Sequence, residues 1–560
     1  MKSKTQHMLN AETMTTARSI VRMIKNEGID QVFCVPGESY LPVMDAIYDE
    51  EDIELISARH EGGASFMAEG WAKASGRPGV VLATRGVGGS NLAIGVHTAF
   101  QDSTPLVVFL GQVDSRFRGR EGFQEVDLEQ FFRPIAKWTV EITDPERVPE
   151  LVGRAFRVAQ SGRPGPVVVS LPENILKAEI QLPIVQRTAR PRPAPSAREV
   201  EQVGRMLADA RKPLIIAGGG VIRADAEDAL IRFAEKQRIP VMAAFRRHDV
   251  FPNDHELYAG HLGLGTPAVI LQGVKKADLI IAVGTKLSEV TTQDYSLISP
   301  EQQLIHVDIS AETLGKVYPP DLGIVADAGE ALHAFLELEV TSDYRDWARR
   351  LRAGFEQVSA LPSSPPQGTL TNEGVIELLQ TYLPPDAILT NDAGNFAGWL
   401  HRFYQFKRKK TYIGPTSGAM GYGLPAAIGA KLAHPNRTVV SLSGDGGFMM
   451  TAQELETAVR YHIPVISLVF NNGMYGTIRM HQELHYPKRV IGTSLNMIHF
   501  AELAKALGAK GFTVTTPEEF EQSLQEGLAS NQPSVIDIRT DPDQIAVNLT
   551  IADIRQKAAL

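Results

Sequence analysis

With 560 residues, 43% hydrophobic and 22% charged, the chain is long enough for three or four domains of ordinary globular composition. A formal net charge of −9 leaves no basic footprint, which argues against nucleic acid as a partner. Residues 1–10 lack the apolar core of a secretory signal, and no apolar run approaches the roughly 18 residues of a membrane span, so a cytoplasmic location away from membranes is expected.

From about Thr15 to Pro172 helix-period and strand-period runs alternate. Helices are predicted over Ala17 to Asn26, Leu41 to Asp49, Glu61 to Ser75 and Asn91 to Gln101, and strands over Val32 to Val35, Ile53 to Ser57, Val80 to Thr84 and Leu106 to Leu110. The alternation predicts an α/β domain with a mainly parallel sheet, placed at 1–185. The only cysteine, Cys34, lies in an apolar strand and reads as a buried structural thiol. Residues 186–198, with Pro191, Pro193 and Pro195, read as a linker.

A central α/β domain is expected over 199–340, opening with an apolar run into Gly218-Gly219-Gly220 and a helix through Lys236. The three glycines lack the G-x-G-x-x-G spacing and read as a structural turn. Asp308, after a strand at Leu304 to Val307, is either a partner for a ribose hydroxyl or an exposed strand end. A second linker covers 341–368, a third α/β domain 369–545, and a tail 546–560 that is either an amphipathic helix over a neighbouring surface or a frayed end.

The third domain carries the most informative stretch. Val439 to Leu442 reads as a buried strand, Gly444-Asp445-Gly446-Gly447 as a tight turn, Thr451 to Tyr461 as a helix and Val465 to Phe470 as the next strand. A right-handed crossover brings the ends of such strands together, so Asp445 and Asn472 converge at one sheet edge. An Asp carboxylate and an Asn carbonyl are hard oxygen ligands suited to Mg²⁺ that also binds phosphate. The glycines let backbone N–H groups approach that phosphate. The unit therefore reads as a metal-bridged diphosphate clamp.

Three further motifs join it. Arg59-His-Glu61 continues through Met67-Ala-Glu-Gly70, Ser417-Gly-Ala-Met420 continues through Leu424-Pro-Ala-Ala-Ile-Gly429, and Phe123-Gln124-Glu125 precedes Arg133-Pro-Ile-Ala-Lys137. Together they resemble the thiamine-diphosphate-dependent enzymes of the acetohydroxyacid synthase, pyruvate oxidase and benzoylformate decarboxylase superfamily, and most closely the large catalytic subunits of acetolactate synthases. The resemblance covers nearly the whole chain and implies pyrimidine-binding, central and diphosphate-binding domains in that order, the first and third with similar folds.

The resemblance also implies roles. Asp445, Asn472 and the Met474 backbone carbonyl would hold Mg²⁺. Glu61 would bond N1′ of the aminopyrimidine and so prepare removal of the thiazolium C2 proton, chemistry that the cofactor carries and the protein tunes. Met420 would prop the cofactor in its bent form, and the Gly418 carbonyl would accept from the 4′-amino group. Phe123 and Gln124 would line the channel opposite the cofactor. Asn91 is kept from the family's Gly-rich loop, here Gly86 to Asn91, and Gly394-Asn395-Phe396, Gly444, Gly446, Gly447 and Tyr475 would complete the cofactor site. Because one subunit's pyrimidine domain faces another's diphosphate domain in this family, a homodimer or dimer of dimers is implied, with a possible regulatory small subunit.

The chain departs from the synthase pattern after Asn472, with Thr477 and His481 where the family has Met and Trp, so the acceptor pocket should differ in shape and polarity. His481 reads equally as a substrate contact or as a partly exposed helix residue. The run Phe245 to His255 replaces a Gly- and Met-rich segment of flavin-binding members, which makes FAD possible but not favoured. The expected activity is decarboxylation of a 2-oxo acid, pyruvate, and ligation to a second one, giving acetolactate. The alternatives are a decarboxylase or carboligase with an aldehyde or aromatic partner, and a catalytically silent cofactor-binding module.

Overall fold

The computed structural model describes residues 13–181, 187, 189–340, 342–362 and 369–558. Residues 1–10, positions 186 and 188 of the first expected linker, 341 and 363–368 of the second, and 559–560 of the tail lie outside the described residues.

Three six-stranded sheets, parallel throughout, follow one another along the chain. The first contains β1 (Gln31–Cys34), β2 (Glu54–Ser57), β3 (Gly79–Thr84), β4 (Leu106–Gln112), β5 (Trp138–Glu141) and β6 (Pro166–Pro172), in the order β2-β1-β3-β4-β6-β5. The second contains β7 (Pro213–Ala217), β8 (Val241–Ala243), β9 (Tyr258–His261), β10 (Leu279–Val283), β11 (Gln303–Asp308) and β12 (Leu322–Val325), in the order β9-β8-β7-β10-β11-β12. The third contains β13 (Ile388–Asn391), β14 (Tyr412–Ile413), β15 (Val439–Gly444), β16 (Ile466–Asn471), β17 (Lys510–Val514) and β18 (Ser534–Arg539), in the order β14-β13-β15-β16-β18-β17. The first and third orders are the same; the central one differs.

Helices cover both faces of such sheets, so the inner strands are apolar without alternation. Every residue of β4 and of β6 is buried. Cys34, at the end of β1, is fully buried, and burial pushes its thiol up to about 12, which makes it a structural residue.

The first and third domains meet through two helices, α1 (Glu61–Ser75) and, further along, Gly423–Ala433. Their backbones touch: a Cβ on Gly70 would lie 2.6 Å from Ala426 Cα, and one on Gly429 would lie 2.1 Å from the Met67 carbonyl oxygen. A buried ion network adds the central domain. Lys73 Nζ lies 2.9 Å from Glu69 and 3.1 Å from Asp102, Arg247 reaches Asp102 at 3.1 Å, and the Tyr422 hydroxyl donates to Glu69. Burial opposes ionisation of Asp102, but Lys73 and Arg247 outweigh it and hold the carboxyl at about 2.

Several expected elements differ. The Gly86 to Asn91 run is helical, because α2 spans Arg85–Asp102 and its glycines turn toward filled space: a Cβ would meet Val126 at Gly86 and Leu128 at Gly89. The expected turn at Gly444 to Gly447 is a strand end followed directly by a helix, Asp445–Thr451, and a separate helix, Glu454–Arg460, replaces the single one expected over Thr451 to Tyr461. Gly219 and Gly220 likewise open a helix, Gly219–Arg223, whose start lies against the Gly284 backbone. Asp308 is buried rather than exposed.

Candidate active site

Glu61 is the first residue of α1, and the His60 ring caps that helix by accepting from the Gly62 N–H at 3.0 Å. A carboxylate there also meets the positive end of the helix dipole. Asn91 Nδ2, one face of α2, donates to Glu61 Oε2 at 2.9 Å, and Gly88 is bare where a Cβ would stand 3.3 Å from Glu61 Oε1. Asn91 is thus brought onto Glu61 itself. Phe123 is 73% exposed, and the Gln124 carbonyl accepts from the Gly86 N–H at 3.0 Å, which ties that loop to the start of α2.

At the third sheet, Asp445 opens α3 (Asp445–Thr451) straight from β15. Its Oδ1 accepts from Gly446 N–H at 2.9 Å and its Oδ2 from Gly473 N–H at 2.8 Å, so the carboxylate joins the ends of two neighbouring strands. Burial pushes its carboxyl up despite those donors. Asn471 is committed to the fold, donating to Asp537 at 2.9 Å and to the Ile498 carbonyl at 3.0 Å, whereas Asn472 Oδ1 holds only the Met474 N–H among the described partners, at 3.2 Å. The Tyr475 ring lies against Gly446, where a Cβ would sit 2.5 Å from it.

This donor set fits Mg²⁺ bound together with a diphosphate. Among the described residues no three His, Cys, Asp or Glu side chains gather as metal ligands. One carboxylate, one amide and a carbonyl leave most of an octahedral shell to water and phosphate oxygens. Gly394-Asn395-Phe396 offers only its backbone to such a ligand: Asn395 is spent on the Ile545 carbonyl at 2.8 Å and on Thr477 Oγ1 at 2.9 Å, and the Phe396 ring is buried, stacked on Phe470. Gly418 is exposed with φ +70, a conformation glycine adopts freely, and Met420 is half-buried nearby.

Thr477 and His481 share one face of Gly476–His485, and His481 is exposed. The tail resolves toward packing: helix Ile551–Lys557 lies over Gly476–His485, with Arg555 bonded to Glu483 at 2.6 Å and Ile551 and Ile554 against Met474 and Met480.

Three family models match the chain in order: thiamine pyrophosphate enzyme, N-terminal TPP binding domain, at residues 14–131; central domain, at 200–335; and C-terminal TPP binding domain, at 392–538. Similar curated proteins include a probable acetolactate synthase large subunit of Methanocaldococcus jannaschii, 34% identical over 94% of this chain and 92% of its own length. The acetolactate synthase large subunit of Corynebacterium glutamicum is 35% identical over 95% and 88%, and the isozyme 3 large subunit of Escherichia coli 33% over 95% of each. The chain belongs to the thiamine pyrophosphate enzyme family.

Thiamine diphosphate is therefore its cofactor, with Mg²⁺ the usual companion in that family. No helix among the described residues is long and apolar enough to cross a membrane. In this thiamine pyrophosphate enzyme a cavity of about 810 Å³ lies where the first, central and third domains meet, walled partly by Phe245, Arg247 and Asp249 of the run that bears on the FAD question, by the buried Asp308 and by Tyr412 and Thr416.

Three site residues escaped the reading of the sequence. Glu454 is fully buried, accepts from the backbone N–H groups of Arg59 and His60 at 3.1 and 3.0 Å, and is pushed up to about 7 by burial. Asp392, at the end of β13, accepts from Tyr422 N–H at 2.8 Å and would lie 2.6 Å from a Cβ on Gly447. Arg85 opens α2 with its side chain enclosed. Only Asp392 had a signal, a carboxylate directly after a buried strand.

Proposed function

We propose that this chain makes acetolactate from two molecules of pyruvate with loss of CO₂. The observation that carries the reading is a division between domains: a half-exposed carboxylate, Glu61, at the edge of the first sheet, and a one-carboxylate clamp, Asp445 with Asn472, at the corresponding edge of the third. The choice of reaction is supported by the relatives named acetolactate synthases, which align along almost the full chain.

In this reading Asp445, Asn472 and the Met474 carbonyl hold Mg²⁺, and the backbone at Gly394, Gly444 and Gly447 faces the diphosphate. When bound, the cofactor supplies a sink for the electron pair left as CO₂ departs. Glu61 holds a proton at N1′ of the aminopyrimidine, and Asn91 fixes the orientation of its carboxylate. The Gly418 carbonyl takes the 4′-amino hydrogen bond, Met420 props the ring, and Phe123 and Gln124 keep water from the reacting carbon. Thr477 and His481 border the acceptor. Each turnover consumes two pyruvate ions and one proton and releases one CO₂.

Among the described contacts Glu61 and Asp445 each bond only within their own domain. That supports a site completed by a second chain, in a homodimer or dimer of dimers, and the large-subunit names support a small regulatory partner. The domain limits we propose are 1–185, 199–340 and 369–545. The test is incubation of the purified protein with thiamine diphosphate, Mg²⁺ and pyruvate, with products identified by mass spectrometry. Acetolactate is expected, and CO₂ release without it would overturn the proposed acceptor.

A further inference from the structure

Arg85 gathers three costs at one position. It is the first residue of α2, where the positive end of the helix dipole disfavours a cation. Its φ is +45, a region that side-chain-bearing residues rarely adopt. It is only 7% exposed, and its Nε has no hydrogen-bond partner. A serine or glycine after Thr84 would avoid at least two of these, and strain concentrated at one residue is a pointer to use.

The guanidinium is pinned on one side and loosely covered on the other. Nη2 bonds Glu173 Oε1 at 2.5 Å, and Nη1 donates to the Phe123 carbonyl at 3.3 Å. Nη1 also lies 3.1 Å from Glu38 Oε1, whose side chain is 66% exposed. Glu61, Glu38 and Arg85 follow β2, β1 and β3, three adjacent strands, and Gly88, one turn after Arg85, is the glycine that borders Glu61. The Arg85–Glu38 pair therefore shares the C-terminal edge of the first sheet with Glu61, with the exposed Phe123 ring 5.8 Å from the guanidinium.

We propose that Arg85 anchors the carboxylate of the acceptor 2-oxo acid, with Glu38 the placeholder that the substrate displaces; this rests on the carboligase reading above. Exchanging one carboxylate for another keeps the enclosed guanidinium neutralised throughout. An ion pair with one member largely in water is weak, so releasing Glu38 costs little. The guanidinium fork matches a planar carboxylate with paired hydrogen bonds. The acceptor is the relevant substrate because its carboxylate stays through bond formation. The donor's carboxylate leaves as CO₂, and a cation holding it would stabilise the ground state more than the transition state.

The experiment uses the enzyme loaded with thiamine diphosphate and Mg²⁺, with pyruvate and acetaldehyde competing as acceptors, and measures CO₂, acetolactate and acetoin. Arg85→Gln should lower the acetolactate-to-acetoin ratio by about tenfold or more, the scale of one charge-assisted hydrogen bond, with CO₂ release changed far less. Arg85→Lys should recover part of the ratio, and Glu38→Gln, which removes the competitor from the exposed side, should raise it. An unchanged ratio in an active Arg85→Gln enzyme overturns the assignment, as does equal loss of both products. Should Arg85→Gln not fold, an unchanged ratio in Arg85→Lys and Glu38→Gln together overturns it. If the unmodified enzyme releases no CO₂ from any 2-oxo acid, the carboligase reading itself fails and the assignment with it.

Discussion

Strands β3 and β15 hold the same place in sheets of the same order, and each runs directly into a helix, yet Arg85 follows the first and Asp445 the second. The neighbouring positions pair off as well. Glu61 comes after β2 and the Gly418–Met420 stretch after the equivalent β14; Gln112 closes β4 and Asn471 closes β16. Parallel strands send all their C-terminal ends to one edge, so the topology decides where a reactive group can stand. In the proposed function, which group stands there decides whether that edge activates or clamps.

The sharpest way to break this contrast is to remove the group to which the proposed function gives activation. Glu61→Gln keeps the helix start and the Asn91 contact but cannot hold the proton at N1′. CO₂ release from pyruvate should fall by about a hundredfold to ten-thousandfold, the range for a lost general acid–base group, with Mg²⁺-dependent cofactor binding nearly unchanged. Full CO₂ release by the variant would remove Glu61 from the mechanism.

Asp445→Asn makes the converse cut. Loss of a supporting residue near a metal typically costs about 10- to 100-fold in affinity, so loss of the one carboxylate in the clamp should weaken Mg²⁺-dependent cofactor binding by at least about a hundredfold. Activity should return partly at high Mg²⁺. Calorimetric titration giving an unaltered Mg²⁺ affinity would move the metal elsewhere.

A smaller effect tests whether the two edges are held by one body. Gly429→Ala drives a methyl to within 2.1 Å of the Met67 carbonyl oxygen, so the two helices must part. The expected loss is about 1–3 kcal/mol, read as a lower urea midpoint. Gly398→Ala is the control: it lies in the helix Ala397–Phe403, its Cβ would meet nothing nearer than Val547 at 3.6 Å, and it should be neutral or stabilising. Equal midpoints for the two variants would mean that the close helix contact contributes nothing.

The convergence of Asp445 with the end of the next strand and the helix start at Glu61 were legible in the sequence because each depends on a local pattern, a strand followed within a few residues by a carboxylate that starts a helix. The Glu61–Ser75 helix is found with the expected limits for the same reason. Glycine misled the reading at Gly86 to Asn91 and at Gly444 to Gly447, since glycines that admit a neighbour inside a helix look the same as glycines that make a turn. Arg85 and Glu454 escaped, and the burial of Asp308 did too, because in each case the burial comes from segments far away in the chain. A charged residue reads as surface until those segments are placed: Glu454 is enclosed by residues about 395 positions earlier. The tail was open for that reason too, its helix being fixed by Arg555 on Glu483.

Glu454 gives the finest test, because it joins the two edges within one chain: it belongs to the helix after the clamp, yet its carboxylate caps the backbone just before Glu61. Burial raises its carboxyl from 4.5 to about 7. The unfolded chain then loses this proton near pH 4.5, while the folded protein keeps it until about pH 7. Between those values the folded state binds the extra proton, so the stability that this group contributes is complete below pH 4.5 and is lost as pH rises toward 7. Glu454→Gln cannot titrate and should lack that decline. Subtracting its urea-unfolding free energy from that of the unmodified protein should give a difference falling by up to about 3 kcal/mol between pH 4.5 and 7.5, then flat. If the two stability curves run parallel, Glu454 is ionised throughout, and the link between the clamp and Glu61 is a fixed anionic cap with no proton in it.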